Sequence, residues 1–167
     1  MWAYTLTVWV HVIAATAWIG SMIFFAVVVV PTLRRPDLRT SAPALIRAMG
    51  TRFRALGWVS LVVLIVTGIF QLGFRGIGLS DFGKAQFRES AFGRALDYKL
   101  ALVVLVLLVS VAHDILSGKR AVEIMEREPG SPRALRTRRI ASWIGRVTMV
   151  LSLAVLFFAV ALVRGLP

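Results

Sequence analysis

His11 is the residue whose type and position point most directly to chemistry. It lies in an apolar run, because residues 6–30 contain no Asp, Glu, Lys or Arg. An ionisable side chain inside a membrane-spanning segment is costly unless it has a partner, and it is a functional candidate by default. An imidazole there can ligate a metal or a haem iron, or handle protons. It can also bond to a Ser or Thr of the next helix and only fix the packing. Residue type alone leaves both roles open.

The surroundings of His11 suit a flat apolar ligand or a closely packed helix. Trp18 and Met22 share a helix face with His11, because they follow it through Ala15 in steps of three or four residues. Small residues flank this face, namely Ala14, Ala15, Ala17, Gly20 and Ser21. They make the helix thin, so that a neighbouring helix or a planar cofactor can approach closely.

A second polar stripe follows the third apolar stretch. It advances in steps of three or four through Lys99, Val103, Val106, Ser110, His113 and Ser117. A polar stripe on a membrane helix must face protein or water. Lys99, the preceding Tyr98, and His113 are therefore further candidates for contact with a cofactor. Alternatively, Lys99 extends to the outer interface, and His113 with Asp114 caps the helix end near Lys119.

The elements that carry these residues are predicted to be membrane helices. The 167 residues are 58% hydrophobic with a mean hydropathy of +0.80, above the roughly 45–50% apolar share of soluble domains. Four apolar stretches lie at about 4–30, 56–74, 96–117 and 141–163, each near the roughly 20 residues that cross the hydrocarbon core. Backbone polar groups in lipid need partners within their own segment, and short connections make neighbours antiparallel. We predict an all-α, single transmembrane domain over 1–167, a four-helix bundle whose first span is retained rather than cleaved as a signal peptide.

The basic residues, which give the chain a net charge of +12, indicate the orientation of this bundle by their distribution along the chain. Most Lys and Arg residues lie in the first and third connections, whereas the second connection has fewer, offset by Asp and Glu. The positive-inside rule then places the first and third connections in the cytoplasm, and both termini and the second connection outside. This distribution favours membrane topology over nucleic-acid binding. The same charges would also attract anionic lipid head groups.

The connections are predicted to contain helical elements of their own. Ser41-Ala42-Pro43 and Ser131-Pro132 each place a Ser cap before a Pro of the first turn. Helices 2 and 4 are therefore expected to begin in the cytoplasm, before they enter the bilayer. Phenylalanines among charged and small residues predict a short helix on the membrane surface at about 82–95.

Depth decides which groups can act together. Helices 1 and 3 are predicted to run in the same direction, and at about 1.5 Å per residue His11 and His113 differ in depth by roughly 12–20 Å. A single haem iron between these two histidines is therefore disfavoured. Lys99 shares the outer level with His11. Thr67-Gly68 and Gln71 of helix 2 lie at that level too and could line the same site.

The absence of cysteine excludes disulfides, thiolate catalysis, iron–sulfur clusters and cysteine-based metal sites. The remaining candidate ligands for copper are His11, Met22, His113 and Met149. They are spread in depth, as ligands along a permeation pathway would be. Methionines in a membrane core also serve simply as packing residues.

An ordered set of motifs runs through nearly the whole chain. It comprises His11-x-x-Ala14-x-x-x-Trp18-x-Gly20 with Pro31 and Arg34, Arg52-Phe53-Arg54-x-x-Gly57 leading to Thr67-Gly68, Tyr98-Lys99-Leu100, and His113-Asp114. This set resembles the CopD-like family of membrane proteins (copper-resistance protein D) and the related HemJ-type protoporphyrinogen oxidases.

The resemblance implies one of two functions. HemJ-type proteins are four-helix membrane proteins that bind haem b and oxidise protoporphyrinogen, and they depend on a first-helix His and a third-helix Lys. Those positions match His11 and Lys99. CopD-like proteins are associated with moving copper across the inner membrane, often with a periplasmic copper carrier.

We expect a haem b protein of the bacterial cytoplasmic membrane with a redox role. His11 would be an axial ligand, and Lys99 the second ligand or a propionate partner. Trp18, Tyr98 and His113 would be further cofactor contacts. As an enzyme it would be an oxidoreductase resembling protoporphyrinogen oxidase.

Two alternatives stay open. One is copper binding or transport through His11, Met22, His113 and Met149, and the other is a structural or assembly subunit in which both histidines only pack. The expected partners are the lipid bilayer and a quinone or a periplasmic electron or copper carrier, with no nucleic acid. A homo-oligomer is compatible with the sequence.

Overall fold

The protein is built from helices. The structure, a computed structural model, describes residues 2–38, 41–116, 123–124, 127–128 and 130–164, and these residues contain no β-strand. The main helices are α1 (Trp2–Phe24), α2 (Ala42–Phe74), α3 (Ala85–Glu89), α4 (Ala91–Leu116) and α5 (Pro132–Arg164). Four segments are long and apolar enough to cross a membrane, namely Trp2–Thr32, Ala44–Phe74, Ala91–Leu116 and Pro132–Arg164. The prediction of an all-α, multi-pass membrane protein is confirmed.

The first helix continues past the end that the sequence predicts at about residue 30. A π-helical turn at Phe25–Val29 follows α1, and a last α-helical turn covers Val30–Thr32. Pro31 has no N–H, and in a regular α-helix its ring would clash with the carbonyl four residues earlier. The wider π turn relieves this clash, so the helix passes through Pro31 instead of stopping before it.

The surface helix predicted over 82–95 is divided in the structure. A 3₁₀ turn at Leu79–Gly83 and the short α3 come first, and α4 then begins at Ala91 instead of about 96. The break lies at Ser90, whose backbone is extended and whose Oγ accepts a hydrogen bond from the Gly93 N–H at 2.9 Å. This bond caps the start of α4. At the other end, Ser117 of the predicted polar stripe lies outside the described residues.

Both predicted Ser-Pro helix starts are present. In α5, Ser131 Oγ accepts a hydrogen bond from the Ala134 N–H at 3.1 Å, with Pro132 in the first turn. In α2, Ser41 occupies the cap position but its side chain makes no capping bond, and its carbonyl accepts from the Leu45 N–H instead. α2 and α5 are each a single helix that includes the basic segment before the apolar one.

The chain divides into two compact units, and the first covers Met1–Asp81. Within it α1 packs against α2. Tyr4 contacts Phe74, His11 bonds to Thr67, and Phe25 contacts Phe53. Successive contacts are separated by seven and then fourteen residues on both helices, in opposite directions. The two helices are therefore antiparallel, and the seven-residue spacing is that of coiled-coil-like packing.

The second unit covers Phe82–Pro167 and pairs α4 with α5. Its buried positions are mostly small or medium side chains, namely Gly93, Ala95, Leu96, Val106, Ala134, Thr148, Ser152 and Ala161. Small residues allow membrane helices to pack closely without a hydrophobic driving force. Large apolar side chains such as Leu108, Val150 and Phe157 are exposed, as expected for helices that face lipid.

Candidate functional site

The candidate site is built on a hydrogen-bonded chain that joins α1 to α2. His11 Nδ1 lies 2.7 Å from Thr67 Oγ1. Thr67 Oγ1 in turn lies 2.6 Å from the Val63 carbonyl oxygen and 3.3 Å from that of Leu64. The three groups therefore form a relay from the imidazole ring to the backbone of α2, inside the contact between the two helices.

The relay decides which ring nitrogen of His11 carries the proton. Two oxygens as close as Thr67 Oγ1 and the Val63 carbonyl need a hydrogen between them, and only the hydroxyl can supply it. That hydroxyl has a single hydrogen, so towards the ring it can only accept. His11 Nδ1 must therefore donate, and the lone pair of the neutral imidazole resides on Nε2. Metal-ligating histidines almost always have this arrangement, with one nitrogen donating to the protein and the other on the metal.

Gly68 follows Thr67 and lies beside the imidazole. A Cβ placed on Gly68 would lie 3.8 Å from His11 Cε1, the ring carbon between the two nitrogens. That separation is an ordinary van der Waals contact, so alanine fits at this position. The backbone of Gly68 therefore lies close to the imidazole ring.

Gln71 adds an unsatisfied donor one turn further along α2. Its side-chain Nε2 is buried and has no hydrogen-bond partner among the described residues. A buried donor without an acceptor costs about 1–3 kcal/mol, so an orphan of this kind calls for an explanation. One turn beyond Gln71, Arg75 Nη2 lies 3.5 Å from the Tyr4 hydroxyl at the end of the helix pair.

Trp18 and Met22 belong to the packing of the first unit. Their side chains are 7% and 8% exposed. Along α1 they lie about 10 Å and 16 Å from His11, on the face that packs against α2. Met22 is thus too far along the helix to share one metal ion with His11. The assignment of Trp18 as a cofactor contact stays a prediction.

The remaining predicted site residues lie in the second unit. The Tyr98 ring is 57% exposed and its centroid is 5.6 Å from that of Phe158, and Lys99 is half-buried next to it. His113 Nδ1 lies 3.8 Å from Asp114 Oδ1, and Met149 is half-buried on α5. The roles predicted for these residues towards haem or copper stay predictions from the sequence.

Clusters of metal-binding type are absent from the described part of the chain: no three of its His, Asp and Glu residues gather where they could hold an ion. Any metal at His11 would need its other ligands from a cofactor such as a porphyrin, or from other side-chain types.

The sequence predicts Thr67-Gly68 and Gln71 at the level of His11, and the structure brings Thr67 and Gly68 against the His11 ring. The sequence did not predict the contact of Arg75 with Tyr4. The seven-residue spacing from the His11–Thr67 contact leads to Tyr4 and Phe74, whose rings touch, and Arg75 directly follows Phe74.

Comparison with known proteins gives a family and one relative. The profile of the family described as "Domain of unknown function (DUF4149)" matches residues 13–129, more than half of the chain. An Aquifex aeolicus (strain VF5) protein named "Uncharacterized protein" is 28% identical over 162 residues, covering 96% of this chain and 95% of its own length. No solved structure matches the chain.

Proposed function

The chain belongs to the DUF4149 family, and we propose that this member is a haem b-binding protein with an electron-transfer role, in which His11 is an axial ligand of the iron. In this proposal it resides in the bacterial cytoplasmic membrane and exchanges electrons with a quinone or a periplasmic carrier. The resemblance of His11, Lys99 and their flanking motifs to haem-binding membrane proteins supports this choice of cofactor.

The observation that carries the proposal is the relay from His11 to Thr67 and the Val63 carbonyl. A histidine that only locks two helices needs one hydrogen bond and has no requirement for a particular tautomer. Here the hydroxyl hydrogen is already taken by Val63, so Nδ1 has to carry a proton, and in the neutral ring the lone pair is then on Nε2. This is the state in which an imidazole binds iron, and the Thr67 oxygen fixes the ring orientation.

The other residues near the ring fit the same cofactor. Gly68 has no side chain beside the imidazole, and the buried Gln71 amide offers a donor with no acceptor among the described residues. When bound, haem b would supply one-electron redox chemistry. The protein would bind the iron through His11 Nε2, hold the ring through Thr67, and surround the group with apolar helix.

The first test is the visible spectrum of the detergent-purified protein after expression with added haem. The wild type is expected to show a Soret band and, on reduction, the α and β bands of a b-type haem. His11→Ala is expected to lose the haem. A wild-type protein without a Soret band would overturn the proposal, and metal analysis of the same sample would then decide the copper alternative.

The matched variant His11→Gln separates ligation from packing. The glutamine amide can donate to Thr67 as Nδ1–H does, but it provides no imidazole for iron. It is expected to keep the thermal unfolding temperature of the apoprotein near that of wild type while losing haem. If His11→Ala keeps its full haem content, the ligand assignment is wrong. If neither haem nor copper is found in the wild type, the structural-subunit alternative is favoured.

A further inference from the structure

Three polar side chains form a line along α2, from the imidazole of His11 to the end of the helix. Thr67, Gln71 and Arg75 follow one another at intervals of four residues, so they share one helix face. Thr67 bonds to the ring of His11, and Arg75 contacts Tyr4 at the start of α1. Gln71 lies between these two contacts, on the same side of α2.

The Gln71 amide is the unexplained member of this line. The flanking contacts of Thr67 and Arg75 both reach α1, whereas the buried Nε2 of Gln71 meets no acceptor among the described residues. A group that only served packing would be leucine at this position, because an apolar side chain of similar size leaves no donor unsatisfied. The amide is therefore suited to an acceptor oxygen of a molecule that binds beside the helix pair.

The neighbouring guanidinium identifies the class of that oxygen. Arg75 lies one turn from Gln71, at the C-terminal end of α2 where the chain leaves the apolar segment. An amide N–H with an arginine beside it matches a carboxylate, whose charge makes both hydrogen bonds stronger than those to a neutral carbonyl. A neutral quinone oxygen would use the amide and make no use of the arginine's charge.

We propose that Gln71 and Arg75 form a carboxylate-binding subsite that holds a propionate of the group ligated by His11. This inference rests on the proposed function, because it assumes an iron porphyrin at His11. Thr67, Gln71 and Arg75 would then each have a different role on one face of α2. Thr67 fixes the ligand imidazole, Gln71 receives the buried part of the carboxylate, and Arg75 compensates its charge at the membrane boundary.

The test compares the affinities of the purified apoprotein for haem and for haem dimethyl ester, which has the same iron and ring but no ionisable carboxylate. The wild type is expected to prefer haem by about tenfold or more, the range of hydrogen bonds to a charged group. Gln71→Leu and Arg75→Gln are each expected to reduce this preference several-fold while the affinity for the ester stays unchanged. Gln86→Leu, a substitution of the other glutamine in the sequence, serves as the control and is expected to keep the wild-type preference.

Two further measurements keep the proposal falsifiable if a variant folds poorly. Gln71→Leu removes an unsatisfied buried amide, so the unfolding temperature of its apoprotein is expected to equal or exceed that of wild type. Gln71→Glu is close in shape but places a carboxylate at the subsite, and it is expected to invert the preference in favour of the ester.

The outcomes of the porphyrin titrations distinguish this inference from the proposed function. If the wild type binds haem and the ester equally well, or if Gln71→Leu and Arg75→Gln keep the wild-type preference, the carboxylate subsite is wrong while haem binding stands. If the wild type binds neither porphyrin, the proposed function fails and the subsite fails with it.

Discussion

A histidine in a membrane helix has to satisfy its N–H within the protein. His11 does so through Thr67, whose own hydrogen is directed to the Val63 carbonyl. A serine or threonine that bonds back to its own helix is common in membrane segments. In most cases the hydroxyl oxygen keeps unused acceptor capacity. In this protein His11 Nδ1 donates to that oxygen. The contact between Thr67 and His11 therefore requires a proton on Nδ1.

Thr67→Val is expected to weaken haem binding by about ten- to a hundredfold, the range for loss of a partner behind a ligating histidine. Valine has nearly the shape of threonine but no oxygen to accept from Nδ1. Thr148→Val is the matched control, because Thr148 is equally buried and also donates to the carbonyl four residues earlier, but lies on α5. Haem titration of both variants provides the measurement.

Thr67→Ser should recover most of the lost affinity, since it restores the hydroxyl. An unchanged affinity and unchanged reduced spectrum in Thr67→Val would contradict the relay as the device that orients the ligand. Equal losses in Thr67→Val and Thr148→Val would indicate a general effect on helix packing instead.

The sequence predicted the level of the site along the helices but not its hydrogen bonds. His11 is recognisable as an ionisable residue in an apolar run, and counting turns places Thr67 and Gln71 at its depth. The position of the proton on His11 depends on whether the Thr67 hydroxyl is close enough to the Val63 carbonyl to donate to it. Residue spacing in the sequence does not determine this distance. The sequence likewise does not show that the buried Gln71 Nε2 has no hydrogen-bond acceptor among the described residues.

The breaks between helices are set by close contacts that residue type indicates only weakly. Gly93 is an example. It lies in the first turn of α4, and a Cβ at this position would overlap the carbonyl of Phe87 in α3. The short helix can turn back against the start of α4 only because position 93 has no side chain. The cap from Ser90 fixes the same turn.

Gly93→Ala is expected to destabilise the protein by about 1–3 kcal/mol, the usual cost of forcing a methyl group into a closely packed site. Gly145→Ala is the control within the same unit. Nothing lies within 4 Å of a Cβ at Gly145, so alanine there is expected to raise helix stability by up to about 1 kcal/mol. Thermal unfolding in detergent should thus give shifts of opposite sign, and two similar shifts would contradict the close contact at Gly93.

The sequence predicted a helix end reliably where a capping side chain marks it. Ser131-Pro132 predicted the start of α5, and the Ser131 cap is present. The apolar stretch predicted an end of the first helix at about residue 30, just before Pro31, but the π turn lets the helix continue to Thr32. A proline indicates that a regular α-helical turn is disfavoured at that position. It does not indicate whether the helix ends there or continues through a wider π turn.

Hydropathy alone was enough to predict the four helices that are long and apolar enough to span a membrane, because lipid imposes helical structure on any long apolar segment. The function is not encoded in that pattern. It depends on a few polar side chains within the spans, and among the described residues the proposed chemistry is supported by the hydrogen-bonded arrangement around His11.

The orientation of the molecule in the membrane, predicted from its arginines, can be tested directly because the chain has no cysteine. Single cysteines at Ser41, in the first connection, and at Ser80, in the second, occupy exposed positions of the structure. In intact spheroplasts a membrane-impermeant maleimide is expected to label Ser80→Cys at once, and Ser41→Cys only after the membrane is permeabilised. The unsubstituted chain is the control without a label.

Ser41 is expected on the cytoplasmic side because basic residues resist translocation, and they flank Ser41 on both sides. The reverse labelling pattern would place the His11 end of the first unit at the cytoplasmic face, so that its redox partner would have to be cytoplasmic rather than periplasmic.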